Sequence, residues 1–181
     1  LAEAVTAQLR ELGMPGAGVV IEVTALRDGQ VTPTGQDQVD LLVSTNPGQP
    51  PGPVGRVASG GELSRLSLAI QVVAMSRQGT PTLIFDEVDA GIGGGVAEIV
   101  GRCLRGLGSQ RQVLCVTHLP QVASQARHHF AVAKHTSGGR AAAEVRRLAE
   151  RERVEEIARM LGGVKLTERS RAHAREMLRA S

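Results

Sequence analysis

The chain has 181 residues, 41% of them hydrophobic and only 1% aromatic, with 21 basic and 18 acidic side chains. That length suits one domain with a sizeable core, or a large piece of a longer polypeptide, and no apolar run is long enough to span a bilayer. Its two cysteines, Cys103 and Cys115, have no metal-ligand spacing around them, which excludes a disulfide scaffold and points to a reducing cytoplasm.

The formal charge of +3 is unevenly spread: residues 140–181 carry 11 basic against 7 acidic side chains. Such a tail permits a nucleic-acid partner, while a mixed-sign helix surface is more often simply solvated. The chain starts at Leu1 with helical sequence already under way and shows no signal peptide, so it is expected to be cut from a longer polypeptide.

Leu1, Val5, Leu9 and Leu12 recur at helical spacing until Gly13-Met14-Pro15-Gly16 stops them, which fits either the end of a coiled coil or an ordinary packed helix. Residues 19–26 and 40–45 read as two strands that pair across the turn Arg27-Asp28-Gly29-Gln30. In the stretch from Asn46 to Pro53 the prolines lack amide donors, which predicts a stiff connector. From Gly60 a helix is predicted with Leu63, Leu66, Ile70, Val73 and Ala74 on one face, ending near Gly79-Thr80-Pro81. Ser59 and Glu62 have the spacing of a capping box at its start. Residues 82–86 form a short apolar run suited to a strand covered on both faces. A helix over 93–107 follows, its apolar stripe made of Val96, Ile99, Val100, Cys103, Leu104 and Leu107. A second buried-strand run covers 112–117, then a short helix 119–126 with Pro120 in its first turn. Strands 129–134 and 142–148 pair across Ser137-Gly138-Gly139. Helices over 152–161 and from Thr167 towards Ala180 close the chain.

Two apolar strands ending in polar chemistry, with a helix between them, describe the ligand edge of an open parallel α/β sheet. Asp86-Glu87 at the end of the first has the form of a Walker B motif: one carboxylate for Mg²⁺, a second to orient and deprotonate the attacking water. Gly60 and Gly61, at a helix N-terminus and without Cβ, let backbone amides approach a phosphate. His118 ends the second strand, within one strand's spacing of the acids. Either motif alone is a weak signal, and Ser59 alone reads best as a helix cap; together they point to nucleotide hydrolysis.

Ser59-Gly60-Gly61-Glu62, Asp86-Glu87-Val88-Asp89 and Thr117-His118 resemble the signature, Walker B, D-loop and H-loop motifs of the ABC ATPase superfamily. Val88-Asp89 resembles the SMC and Rad50 branch rather than transporters. The longer strings 57–65, 84–92 and 115–123, with 45–50 and 158–163, resemble the RecN family of bacterial DNA repair proteins over nearly the whole chain. Ala58 departs from the leucine common in ABC signatures. No Gly-x-x-x-x-Gly-Lys-[Ser/Thr] occurs, and Gly91-Ile92-Gly93-Gly94-Gly95 has no lysine after it to stand in for one.

The resemblance implies an α/β fold, the C-terminal half of an ABC/SMC-type ATPase head, with a mostly parallel P-loop NTPase-like sheet flanked by helices. Residues 1–12 would be the end of a coiled-coil helix and 13–181 the C-terminal lobe, partnered by an N-terminal Walker A lobe of the same polypeptide that also holds the Q-loop. It further implies ATP and Mg²⁺ as cofactors, with Asp86 at the metal, Glu87 as the base and His118 on the γ-phosphate. Ser59, Gly60, Gly61 and Glu62 would face the nucleotide of a second head in an ATP-dependent homodimer, and Asp89 would communicate across that interface. DNA is the implied partner, at double-strand breaks, in the bacterial cytoplasm at the nucleoid, with no membrane involved. The rival readings are a transporter-type ATPase subunit and a non-catalytic DNA- or protein-binding module that keeps the motifs as relics. Arg146, Arg147, Arg151 and Arg153 are candidate phosphate contacts, set against a solvated helix surface.

Overall fold

A computed structural model describes residues 1–27, 30–33, 35–57, 59–77, 80–86, 88–137, 140–162 and 166–180. It divides into two compact units: residues 1–81 with 90–92, and residues 82–89 with 93–181.

In the first unit, helix α1 (Ala2–Glu11) buries Val5 and Leu9. It ends where Gly13 takes φ +79° and the Met14 amide bonds back to the Leu9 carbonyl, a left-handed cap that only glycine adopts without strain. Strands β1 (Gly18–Ala25) and β2 (Asp37–Ser44) pair antiparallel, from Gly18 opposite Ser44 to Ala25 opposite Asp37. The second strand thus begins three residues before the expected Asp40; the turn residues Asp28 and Gly29 lie outside the described residues. Part of the proline-rich connector becomes a two-residue edge strand, β3 (Gly52–Pro53), on β2. An edge is where a strand proline is tolerated. A Cβ on Gly16 would overlap the Pro47 ring, so the connector is pressed onto the turn that ends α1.

A short helix α2 (Val54–Val57) leads to α3 (Gly60–Arg77), which packs on α1. Its buried residues are Leu66, Leu68, Ala69, Val72 and Val73, while Leu63 is exposed. The expected apolar face is thus partly kept: Leu66 and Val73 are buried, Ile70 and Ala74 half-buried and Leu63 exposed, while Leu68, Ala69 and Val72 join the buried side.

The second unit opens with β4 (Thr82–Asp86), parallel to β5 (Gln112–Val116), with Asp86 opposite Val116. Between them runs α4 (Gly94–Leu107), which packs on β5 and on the short helix α5 (Pro120–Ser124). Small residues make the helix crossing close: Ala97 and Gly101 are buried with Val100 and Leu104, and a Cβ on Gly101 would lie 2.7 Å from Gln125 Cγ. The predicted stripe is therefore turned towards its small residues.

The antiparallel hairpin β6 (Phe130–Ser137) and β7 (Arg140–Arg147) leads to α6 (Glu150–Gly162) and α7 (Glu168–Arg179). Its turn residues Gly138 and Gly139 lie outside the described residues. Ala123 of α5, Ile157 and Ala158 of α6 and Ala174 of α7 form one core, with Val154, Leu161, Met177 and Leu178 around it. Arg171 donates to both oxygens of Glu155, at 2.9 and 3.0 Å, tying α6 to α7. Thr167 and Ser170 form the capping box of α7.

The fold is α/β as expected, but its parallel part is the pair β4–β5 alone; the remaining described pairings are antiparallel. One expectation is overturned. Strands 82–86 and 112–116 are not covered on both faces: Leu83 and Phe85 are buried, whereas Ile84 is 70% and Val116 60% exposed, with Leu114 also exposed. An apolar run reads as buried on both faces only if its sheet has layers on both sides. Here the described residues supply one. No described helix is long and apolar enough to cross a membrane.

Candidate nucleotide site

The predicted site residues fall into two groups, one in each unit. In the first, Ser59 stands exposed before α3, and Glu62 reaches back to it: the Ser59 amide donates to Glu62 Oε2 at 2.7 Å. That bond, with help from the Ser59 and Thr45 hydroxyls and Arg65, holds the Glu62 carboxyl below its ordinary pKa against the opposing effect of burial. The Glu62 half of the predicted capping box is therefore formed. The helix is under way at once, with the Leu63 amide on the Ser59 carbonyl at 2.8 Å.

Gly60 and Gly61, alike in sequence, differ in surroundings. A Cβ on Gly60 would meet nothing within 4 Å, so that side of the backbone is open to a ligand. A Cβ on Gly61 would lie 2.5 Å from the Gly91 carbonyl oxygen, and Gly91 itself holds φ +72°. The Gly91 segment, excluded as a phosphate loop for want of a lysine, thus lies as a floor against Gly61. Ala58 and Glu87 lie outside the described residues.

In the second unit, the parallel register brings Asp86 and the Thr117-His118 turn to the same edge of the β4–β5 pair. Asp86 is exposed and His118 is 71% exposed. An exposed carboxylate at a strand end suits Mg²⁺, which is usually held by one or two carboxylates together with phosphate oxygens and water. No group of three or more metal-ligating side chains occurs among the described residues. Cys115, inside β5, has its thiol pushed up to about 11, first by burial and then by the charges of Asp89 and Asp86. It is half-buried, not one of the fully buried core side chains that its place in an apolar strand predicts.

Asp89 behaves unlike the other acids. It is 1% exposed, and its Oδ2 accepts the amides of His118 at 3.2 Å and Leu119 at 3.3 Å, together with the Thr117 hydroxyl. His118 Nδ1 lies 3.5 Å from the same oxygen. Expected to act across a dimer interface, Asp89 has its carboxylate buried on a turn of its own chain. The motif alone gives Thr117 no role of its own; in the structure its hydroxyl also accepts the Leu119 amide at 3.0 Å.

Three of the four candidate phosphate-binding arginines are engaged elsewhere. Arg146 pairs with Glu152, and Arg147 bonds His128 Nδ1 at 2.9 Å. Arg153 donates to the carbonyls of Ala126 at 2.6 Å and Arg127 at 3.4 Å, just past the end of α5. Arg151 is exposed on α6.

No protein-family model matches the chain. Among curated proteins it is 48% identical over 178 residues to the DNA repair protein RecN of Xylella fastidiosa, covering 98% of this chain and 32% of that protein. It is 50% identical over 177 residues to RecN of Vibrio cholerae, with the same coverage of 98% and 32%. RecN of Deinococcus radiodurans matches at 47% over 178 residues, 98% of this chain and 31% of that protein. The chain therefore spans about a third of the length of these relatives. Among solved structures it is similar to an SMC ATPase studied for ATP-driven dimerisation and DNA-stimulated activation, with TM-score 0.62 at 15% identity, over 90% of this chain and 94% of that one. The Smc head domain with coiled coil and joint from Pyrococcus yayanosii gives TM-score 0.64 at 17% identity, over 86% of this chain and 28% of that one. At such identities the likeness concerns the fold. Along nearly its whole length the chain is homologous to part of the DNA repair protein RecN, on the fold of an SMC head domain.

Proposed function

We propose that this chain is the C-terminal lobe of an ATP-binding and ATP-hydrolysing head in an SMC-like DNA repair protein, working through ATP-driven dimerisation of two heads. The observation that carries the reading is the parallel β4–β5 register, which delivers Asp86 and His118 to one edge in a chain about half identical to RecN.

In this reading Asp86 holds Mg²⁺, which supplies charge neutralisation for the phosphates when bound. Glu87 orients and deprotonates the attacking water, and His118 hydrogen-bonds the γ-phosphate. Ser59, Gly60 and Gly61 meet the nucleotide held by the opposite head, with Gly60 offering the open approach and Glu62 fixing the turn. The loop anchored by Asp89 relays closure of the dimer interface. Residues 1–12 continue into a coiled coil. DNA at double-strand breaks is the partner, in the bacterial cytoplasm at the nucleoid. The exposed face of Ile84, Leu114 and Val116 is the seat of the Walker A lobe, whose lysine this sequence lacks.

The isolated 181-residue chain is then inactive, and joining it to the Walker A lobe restores turnover. In the complete protein Glu87→Gln keeps nucleotide binding and slows hydrolysis about 10²–10⁴-fold, the usual worth of a general base. ATPase activity that tracks with the isolated chain through sizing, or wild-type turnover by Glu87→Gln, refutes this reading.

A further inference from the structure

We propose that Asp89 is the positioning residue for His118, holding the imidazole in place from within the same head; this rests on the reading of His118 as a nucleotide contact. Asp89 lies 28–30 residues before the turn it holds, so the contact is tertiary and not a local turn motif. Its Oδ2 takes three donors from consecutive residues: the Thr117 hydroxyl and the amides of His118 and Leu119. Three fixed directions on one oxygen define where the His118 Cα sits and how its side chain leaves the backbone. The fourth neighbour is His118 Nδ1, at 3.5 Å.

The chemistry of the imidazole follows from that neighbour. A carboxylate facing Nδ1 favours the proton on that nitrogen and disfavours the tautomer with Nδ1 bare. Nε2, on the far side of a ring that is 71% exposed, is then the nitrogen turned to a ligand, and it donates to a phosphate oxygen when both ring nitrogens carry protons. Burial sharpens the effect, because the Asp89 side chain is only 1% exposed and water does not compete for it. Asp89 Oδ1 is also buried and has no hydrogen-bond partner among the described residues. A buried carboxylate with one oxygen unsatisfied is costly, and such a group persists where it holds something in place.

The test uses the complete polypeptide and four proteins: wild type, His118→Ala, Asp89→Asn and the double variant. The amide side chain of Asp89→Asn still offers one oxygen to the backbone amides but lacks the charge opposite Nδ1. The expected result for Asp89→Asn is a kcat lowered about 10–100-fold, the scale of a group misplaced by about 1 Å. KM for ATP should stay within about threefold and the thermal midpoint should be little changed. In the His118→Ala background Asp89→Asn should lower kcat no further, because nothing remains to be positioned. Should Asp89→Asn fail to fold, Thr117→Val, which removes one of the three donors, takes its place in the same cycle. Equal losses from Asp89→Asn in both backgrounds overturn the proposal, as does a wild-type kcat in Asp89→Asn when His118→Ala is slow. A wild-type kcat in His118→Ala refutes the role of His118 itself, and the positioning role with it.

Discussion

Gly61 and Gly91 are packed backbone to backbone: a Cβ on Gly61 would stand 2.5 Å from the Gly91 carbonyl oxygen, a distance real Cβ atoms do not tolerate. The signature turn and the loop after β4 are therefore fitted to each other, not merely near each other. Gly60, one residue earlier, has no such neighbour. Substituting the pair one at a time separates fit from ligand approach. Gly61→Ala should destabilise the complete protein by about 1–3 kcal/mol, the cost of overpacking, and lower its ATPase. Gly60→Ala should leave the urea midpoint unchanged yet slow hydrolysis. Equal stability losses at both positions would show that the close approach has been misassigned.

The reach of Ser59 can be tested by mixing complete proteins. Ser59→Arg combined with a Walker A variant that binds no ATP leaves one site with both an intact base and an intact signature, if Ser59 acts on the opposite head. Measurable ATPase in that mixed dimer is the expected outcome. If Ser59 serves only its own head, both sites are lost and the mixture is inactive. A cap contribution alone is worth about 1 kcal/mol and cannot produce that pattern.

Cys115 supplies a chemical gauge of the strand edge. With its thiol at about 11 instead of 9.0, the thiolate at pH 8 is about 10²-fold scarcer than in the unfolded chain. Alkylation by iodoacetamide, followed at Cys115 by mass spectrometry, should be slower than in urea by about that factor. Asp86→Asn should speed it modestly by removing one nearby negative charge. Equal rates in folded and unfolded protein would contradict the burial of the thiol.

His129 sets a pH dependence of stability. Burial, and then the charge of Arg153, lower its pKa below the ordinary 6.5, while Glu156 works in the opposite sense. Its Nδ1 is buried without a hydrogen-bond partner among the described residues. A depressed folded pKa means the unfolded chain binds the proton more readily. Its contribution is thus present above about 6.5 and is lost as pH falls through the lower folded value. The lowered carboxyls of Glu62 and Glu156 act in the same direction, but only below their ordinary 4.5. Between pH 7.5 and 5 the urea midpoint should therefore fall more steeply in wild type than in His129→Gln. Parallel curves would remove His129 from the account.

Much of this was legible in the sequence because its signals were local. Residues 82–86 are an uninterrupted apolar run ended by an acid, and the strand occupies those residues. Glu62 three residues after Ser59 announced a bond that is made. What the sequence hid was of two kinds. Gly61–Gly91 and Asp89–Thr117 join residues about thirty apart, and no periodicity encodes such a meeting. The one-sided burial of β4 and β5 was invisible for another reason. Ile84, Leu114 and Val116 have the composition of covered residues, and composition does not say where the cover comes from.

The division into units has a practical corollary. The backbone leaves the first unit after Pro81, returns to it for Ala90–Ile92 alone, and leaves again at Gly93. No single cut therefore yields the two units as separate pieces. Truncation at residue 81, the boundary a domain-dissection experiment would choose first, removes Gly91 and leaves Gly61 facing nothing. An isolated N-terminal piece would thus misreport the turn at Gly60–Gly61, and a split-protein design for this chain should place its break elsewhere.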